Sequence, residues 1–180
     1  MTDEELINLI QKGKQEKFGL VIDRYEKKLF FYLKNLINQS GEDVEDLLQE
    51  VFVSVYVNIQ SFDTQKKFSS WIYRIAHNNA IDYFKSKKRL KSESLDFKED
   101  YFDNNQKLAE DLEIETERNL LIKKYINELD LKYKESILLF YYDNRNYEEI
   151  SDILHIPHSQ VGVLLFRAKK LLKHKLIKLK

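Results

Sequence analysis

The sequence predicts an all-α chain of two small helical domains joined by a flexible acidic linker. Three observations carry this. Apolar residues recur at helical spacing on both sides of a polar, acidic break. One Pro and four Gly among 180 residues leave little material for tight turns or a glycine-rich phosphate loop. The 30 basic and 30 acidic residues balance overall but are segregated along the chain, so distribution rather than net charge points to partners.

Residues 3–12, with Leu6, Ile7, Leu9 and Ile10, read as a short amphipathic helix ending near Gly13. Residues 16–38 carry Phe18, Val21, Ile22, Tyr25, Leu29, Leu33, Leu36 and Ile37, a second stripe that Ser40-Gly41 is expected to break. A third helix follows through Val44, Leu47, Leu48, Val51, Phe52, Val55 and Ile59. Ser40 and Asp43 form a capping start for it. A fourth carries Phe68, Trp71, Ile72, Ile75, Ala76, Ala80 and Phe84. These stripes read as core, Trp71 included.

Charge divides sharply here. Asn35 to Asp63 holds six acids and no Lys or Arg, whereas Thr64 to Lys91 holds eight Lys or Arg and one acid, Asp82. An acidic helix suits a basic protein partner; a basic, aromatic-rich one suits nucleic acid.

Between Glu93 and Glu117 lie ten acids and two lysines, which read as a solvated, flexible linker. Beyond it, Leu120, Leu121, Tyr125, Ile126 and Leu129 make one helix, and Ile137, Leu138, Phe140 and Tyr141 another. A short helix at Tyr147 to Leu154, a break at His155-Ile156-Pro157 and a final helix from about His158 to Lys178 make a helix-turn-helix. Pro157 suits the first turn of the last helix and extends Ile156 before it. Val161, Leu164, Leu165, Ala168, Leu171 and Leu172 are the expected core positions of that helix. Ser159 to Lys180 contains seven Lys or Arg and no acid.

Much is excluded. Without Cys there is no disulfide framework, thiol nucleophile or Cys-based zinc site. His155 and His158 could share one side of a bend, but no third ligand is evident, so no metal is expected. No Ser-His-Asp spacing can be defended. The paired carboxylates Glu148-Glu149 and Asp111-Glu113 read as surface charge. No catalytic residue, cofactor or enzymatic activity is expected. The acidic N-terminus does not read as a signal peptide and no apolar run spans a membrane, so a cytoplasmic location is expected.

Two stretches resemble the extracytoplasmic-function (ECF) sigma factors of bacterial RNA polymerase, in the sigma-70 family. The run Glu45 to Phe52, the Ser61-Phe62-Asp63 loop and Trp71 to Tyr83 followed by Lys85-Ser86-Lys87-Lys88-Arg89 are similar to sigma region 2. Tyr147, Glu149, Ile150, Leu154, Ile156, Pro157, Val161, Arg167, Ala168 and Leu172 match the pattern of sigma region 4. The resemblance departs at Gly162, Val163 and Leu164, where the family commonly has Lys, Ser and Arg. His155 replaces the turn glycine, and Lys134 stands near the position of the Arg that follows the family's Leu-Pro.

The resemblance implies residues 1–91 as region 2, 92–117 as linker and 118–180 as region 4. It implies a sigma factor that directs core polymerase to promoters and helps open the DNA, in a stress or envelope response. The implied partners are core RNA polymerase (β′ clamp and β flap), promoter DNA and an anti-sigma factor, commonly membrane-anchored. Glu42, Asp46, Gln49 and Glu50 would dock on polymerase. Ser61, Lys66, Lys67, Arg74, Asn78, Asn79, Lys85, Lys87, Lys88 and Arg89 would hold the minus-ten element. His158, Ser159, Gln160, Phe166, Arg167, Lys169 and Lys170 would meet the minus-thirty-five duplex, with Gln160 suited to adenine. Two other readings stand beside this: a helix-turn-helix regulator without sigma activity, and a helical adaptor with reduced DNA binding.

Overall fold

A computed structural model describes residues 1–93 and 117–177. The expected acidic linker therefore lies outside the described residues, apart from its two ends. Among the described residues, every regular element is helical.

The first four helices form one bundle. Helix α1, Asp3–Gln11, opens on a capping box: the Thr2 side chain accepts from the Glu5 N–H at 3.2 Å, and the Glu5 carboxylate accepts from the Thr2 N–H at 2.8 Å. It closes before Gly13, whose φ of 97° favours glycine. Helix α2, Phe18–Ile37, falls within the expected residues 16–38, and Asn38 caps it in the left-handed conformation at φ 49°. Asn tolerates that conformation better than most residues. Ser40 caps α3, Gly41–Asn58, as expected; its hydroxyl accepts from the Asp43 N–H at 3.3 Å. Helix α4, Phe68–Glu93, is the longest. Leu6, Ile7, Leu29, Leu33, Val51 and Ile72 lie in the core between them. Trp71 is half-buried, its ring 5.1 Å from Phe62 and 5.6 Å from Phe68.

The second unit comprises α5, Glu117–Asn127; α6, Leu131–Ile137; α7, Tyr147–Leu154; and α8, His158–Ile177. A π-helical turn, Leu138–Tyr142, prolongs α6, burying Leu138 and Leu139 while Tyr141 and Tyr142 face out. Helix α7 begins with a second capping box, Asn146 with Glu149. Its turn survives without glycine because His155 adopts φ 54° and ψ 46°. Of the expected core positions of α8, Val161, Leu164, Leu165 and Ala168 are buried, Leu172 is half-buried and Leu171 is exposed. Leu120 and Leu121 are exposed too, whereas Ile126 further along α5 is buried.

The two units pack directly on each other. Helix α4 lies against α7, and α2 against α6 and the π turn. The junction is polar and aromatic. Glu135, 2% exposed, accepts from the Tyr32 hydroxyl and lies 2.7 Å from Nδ1 of His77. The Tyr73 hydroxyl donates to Asp143 at 3.1 Å, and Arg145 stands 4.3 Å above the Tyr73 ring while donating to Ser69 at 3.0 Å. Lys67 reaches Glu149 at 3.4 Å. Burial pushes the Asp143 carboxyl up to about 6 despite the Tyr73 hydrogen bond and the charge of Arg145. Burial also carries the Tyr73 and Tyr32 phenols upward.

Candidate functional site

Three surfaces gather the residues singled out by sequence. The first is on α3. Glu42, Asp46, Gln49 and Glu50 are all exposed and fall within a sector of roughly 100° at 3.6 residues per turn. The same sector continues into two apolar residues the sequence reading passed over, Val53 and Val57, 63% and 71% exposed. The signal was available: both sit at helical spacing from Asp46 and Gln49. Asp43, although acidic, is turned away. Its carboxylate accepts from Ser40 at 2.9 Å and meets the Lys87 ammonium at 3.4 Å. Partial burial favours the neutral acid, but the Ser40 hydrogen bond and Lys87 outweigh it and hold Asp43 below the usual carboxylate range.

The second surface is on α4 and the loop before it. Arg74, Asn78, Lys85, Lys88 and Arg89 share one face, again roughly 100° wide. Lys66 and Lys67 are exposed at the N-terminal end of that helix, with Ser61 nearby in sequence donating to the Asn58 carbonyl at 2.7 Å. Two expected members lie on the opposite side. The Asn79 amide donates to the Ile75 carbonyl at 2.9 Å, and Lys87 lies against Asp43 and 5.0 Å from the centre of the Tyr83 ring. Period explains this: residues 79 and 87 are both far from a whole number of turns from Arg74. The flank beside the basic face carries Ser69, Tyr73 and His77, and the second domain sits there.

The third surface is the outer side of α8. His158, Ser159, Gln160, Phe166, Arg167, Lys169 and Lys170 are all exposed. Gln160 also donates its backbone N–H to the Pro157 carbonyl at 2.8 Å, closing the first turn. Lys169 lies at the edge, its ammonium 5.3 Å from the centre of the Tyr141 ring. Of the three residues that depart from the family, Leu164 is buried and so belongs to the core. Gly162 faces α7: a Cβ built there would stand 3.5 Å from Cε2 of Tyr147, an ordinary contact. Val163 alone of the three points outward, 45% exposed.

Among the described residues no group of three His, Asp or Glu side chains could hold a metal ion, and no helix is long and apolar enough to cross a membrane.

An acidic helix beside a basic one, followed by a helix-turn-helix, is the arrangement expected from the resemblance, and comparison with known proteins decides it. The model of Sigma-70 region 2 matches residues 21–90, and that of Sigma-70, region 4 matches residues 119–172. The ECF RNA polymerase sigma factor SigW of Bacillus subtilis is 33% identical over 98% of this chain and 97% of its own length. The chain belongs to the ECF RNA polymerase sigma factors. The ECF sigma-E factor of Escherichia coli K12 is 31% identical over 97% of this chain and 94% of its own. Two solved structures share the fold: CnrH in complex with the cytosolic domain of CnrY, with a TM-score of 0.71 and 21% identity, covering 98% of this chain and 97% of that one; and the sigma factor RpoE in complex with the anti-sigma factor NepR from Bartonella quintana, with a TM-score of 0.73 and 18% identity, covering 89% and 97%. As an ECF sigma factor, the protein directs RNA polymerase to promoters at transcription initiation and is not itself an enzyme.

Proposed function

We propose a division of that function among the three surfaces. The α3 face of Glu42, Asp46, Gln49 and Glu50, extended by Val53 and Val57, docks on a basic helical element of the β′ clamp. The α4 face of Arg74, Asn78, Lys85, Lys88 and Arg89, with Lys66, Lys67 and Ser61, holds the opened minus-ten strand. Its cations track phosphates, and Asn78 is placed for a base edge. The N-terminal half of α8 enters the major groove of the minus-thirty-five duplex, with Gln160 toward a base. Region 4 also meets the β flap. The observation that carries this reading is the juxtaposition of an acidic and a basic face on adjacent helices, a pairing that a simple operator-binding protein does not need.

The packing of region 4 on region 2 adds a condition. The two promoter elements lie roughly 25 base pairs apart, or about 85 Å along B-form DNA. Two domains in direct contact cannot read both, so the Arg145–Tyr73 and Glu135–His77 junction must part during initiation. An anti-sigma factor that favours the closed arrangement would hold the protein inactive until a stress or envelope signal; the structures of CnrH in complex with CnrY and of RpoE in complex with the anti-sigma factor NepR support such a partner.

The testing experiment is transcription in vitro with core polymerase from the same host and a pool of genomic fragments, with and without this protein. New start sites that require it, sharing two upstream sequence elements, are the expected result. Polymerase binding without a shared upstream element would remove α8 from duplex reading. Absence of binding by the folded protein would remove the α3 assignment.

A further inference from the structure

We propose that Val163 selects thymine in the upstream promoter element by packing on its C5-methyl group. The inference rests on α8 reading that duplex and names what it reads. The buried seam of α8 is Val161, Leu164, Leu165 and Ala168. Directly opposite this seam, at about 100° per residue, stands Val163, with Ser159, Gln160, Phe166, Arg167 and Lys170 within roughly 60° on either side. All six are exposed, Phe166 at 70%. An apolar side chain thus occupies the centre of the outward face of the second helix of a helix-turn-helix, and its apolar neighbour Phe166 follows one turn later.

What covers that centre is set by its surroundings. Helix α8 contains Arg167, Lys169, Lys170, Lys173 and Lys175 and no acid, so the partner is anionic. Among the base edges of the major groove, thymine alone offers an apolar group; the others present hydrogen-bond donors and acceptors. Pressing Val163 on one of those would strip it of water without supplying a partner, which is unfavourable. Pressing Val163 on a thymine methyl buries two apolar surfaces. Ser159 and Gln160, one turn earlier on the same face, supply the polar contacts that set the register.

The test uses holoenzyme assembled from the host core polymerase and the full chain. Promoters randomised in the upstream element are selected for initiation. Each thymine of the enriched element is then replaced singly by deoxyuridine, which removes only the methyl group. The expected result is one thymine, or two adjacent ones, whose replacement weakens binding by about fourfold, the factor for withdrawing one methyl-sized group from contact. With Val163→Ala that penalty disappears, and with Val163→Ser the enriched base at that position changes. An enriched upstream element in which no deoxyuridine replacement matters overturns the inference while leaving duplex reading by α8 intact. An undiminished penalty with Val163→Ala overturns it as well. Absence of any enriched upstream element overturns duplex reading by α8, and the inference with it. The deoxyuridine arm is performed on the unaltered chain, so it decides the matter even where a variant assembles poorly.

Discussion

The Arg145 guanidinium of region 4 lies 4.3 Å from the centre of the Tyr73 ring on α4, and the same residue donates to Ser69 at 3.0 Å. This one side chain, two residues before α7, joins region 4 to the helix proposed to hold the minus-ten strand. A desolvated cation–π contact contributes up to about 2 kcal/mol. Arg145→Ala is expected to release region 4. Small-angle scattering of the full chain should then give a radius of gyration above the roughly 16 Å of a compact chain of this length. A variant as compact as the original chain would mean that the Glu135 cluster holds the domains by itself.

Asp143 makes the junction sensitive to acid. Its carboxyl is raised from 3.8 to about 6 by burial, so the closed form binds a proton more readily than the solvated carboxyl does. The closed form is therefore favoured below about pH 4, and that advantage is lost as pH rises from about 4 to about 6. Asp143→Asn keeps an acceptor for Tyr73 and removes the charge. The expected outcome is that the variant, relative to the original chain, gains closed-state stability on the order of 1–3 kcal/mol at pH 7 and none at pH 4. Paired denaturation curves at the two pH values check this.

Lys134 on α6 is 5% exposed, and burial pulls its ammonium down to about 8. A charged amine held there at neutral pH opposes folding. Lys134→Met fits the same volume without the charge and should stabilise the protein by about 2 kcal/mol at pH 7. The gain should shrink as pH climbs through 8 toward 10.5, where the unfolded lysine also loses its proton. Thermal melts of both chains at pH 7 and pH 9.5 would show it.

On α3, Asp46→Lys with Gln49→Ala reverses the charge at the centre of the acidic face without touching buried Leu47 or Leu48. Binding to core polymerase should fall at least tenfold, with an unchanged helical circular dichroism spectrum. Wild-type affinity in the folded double variant would remove this face from docking.

Lys87 and Lys88 are neighbours in sequence but lie on different sides of α4. Lys88→Ala should lower the salt-dependence slope of promoter binding by about 1, because one phosphate contact is lost. Lys87→Ala should leave the slope nearly unchanged and instead weaken the α3–α4 contact through Asp43, which a thermal melt would register. Equal slopes for the two variants would mean that the α4 face is not the strand-holding one.

The all-α class, the four-helix first unit and the helix-turn-helix were legible in the sequence because burial at helical spacing is a local signal, and each stripe is long enough to fix its own period. The capping residues Ser40 and Asp43 were legible for the same reason. The acidic face of α3 could be listed residue by residue, since three carboxylates and a glutamine at helical spacing need no tertiary information. Other positions depended on the fold. That α2 would stop by residue 38 was legible; that Asn38 makes the turn in the left-handed conformation was not. Asn79 and Lys87 belonged by composition to the basic helix; Asn79 instead bonds back to the Ile75 carbonyl within α4, and Asp43 of α3 occupies Lys87. Of the adjacent apolar residues Leu164 and Val163, helical spacing placed the first in the core and left the second without a place. Packing of α8 on the rest of region 4 buries the first and presents the second. The contact between the domains could not be read at all. Tyr32, Tyr73, His77, Glu135, Asp143 and Arg145 come from four separate segments, and none has a local pattern. Their partners lie from 58 to 103 residues away for Glu135 alone, so only the closed tertiary structure could bring them together.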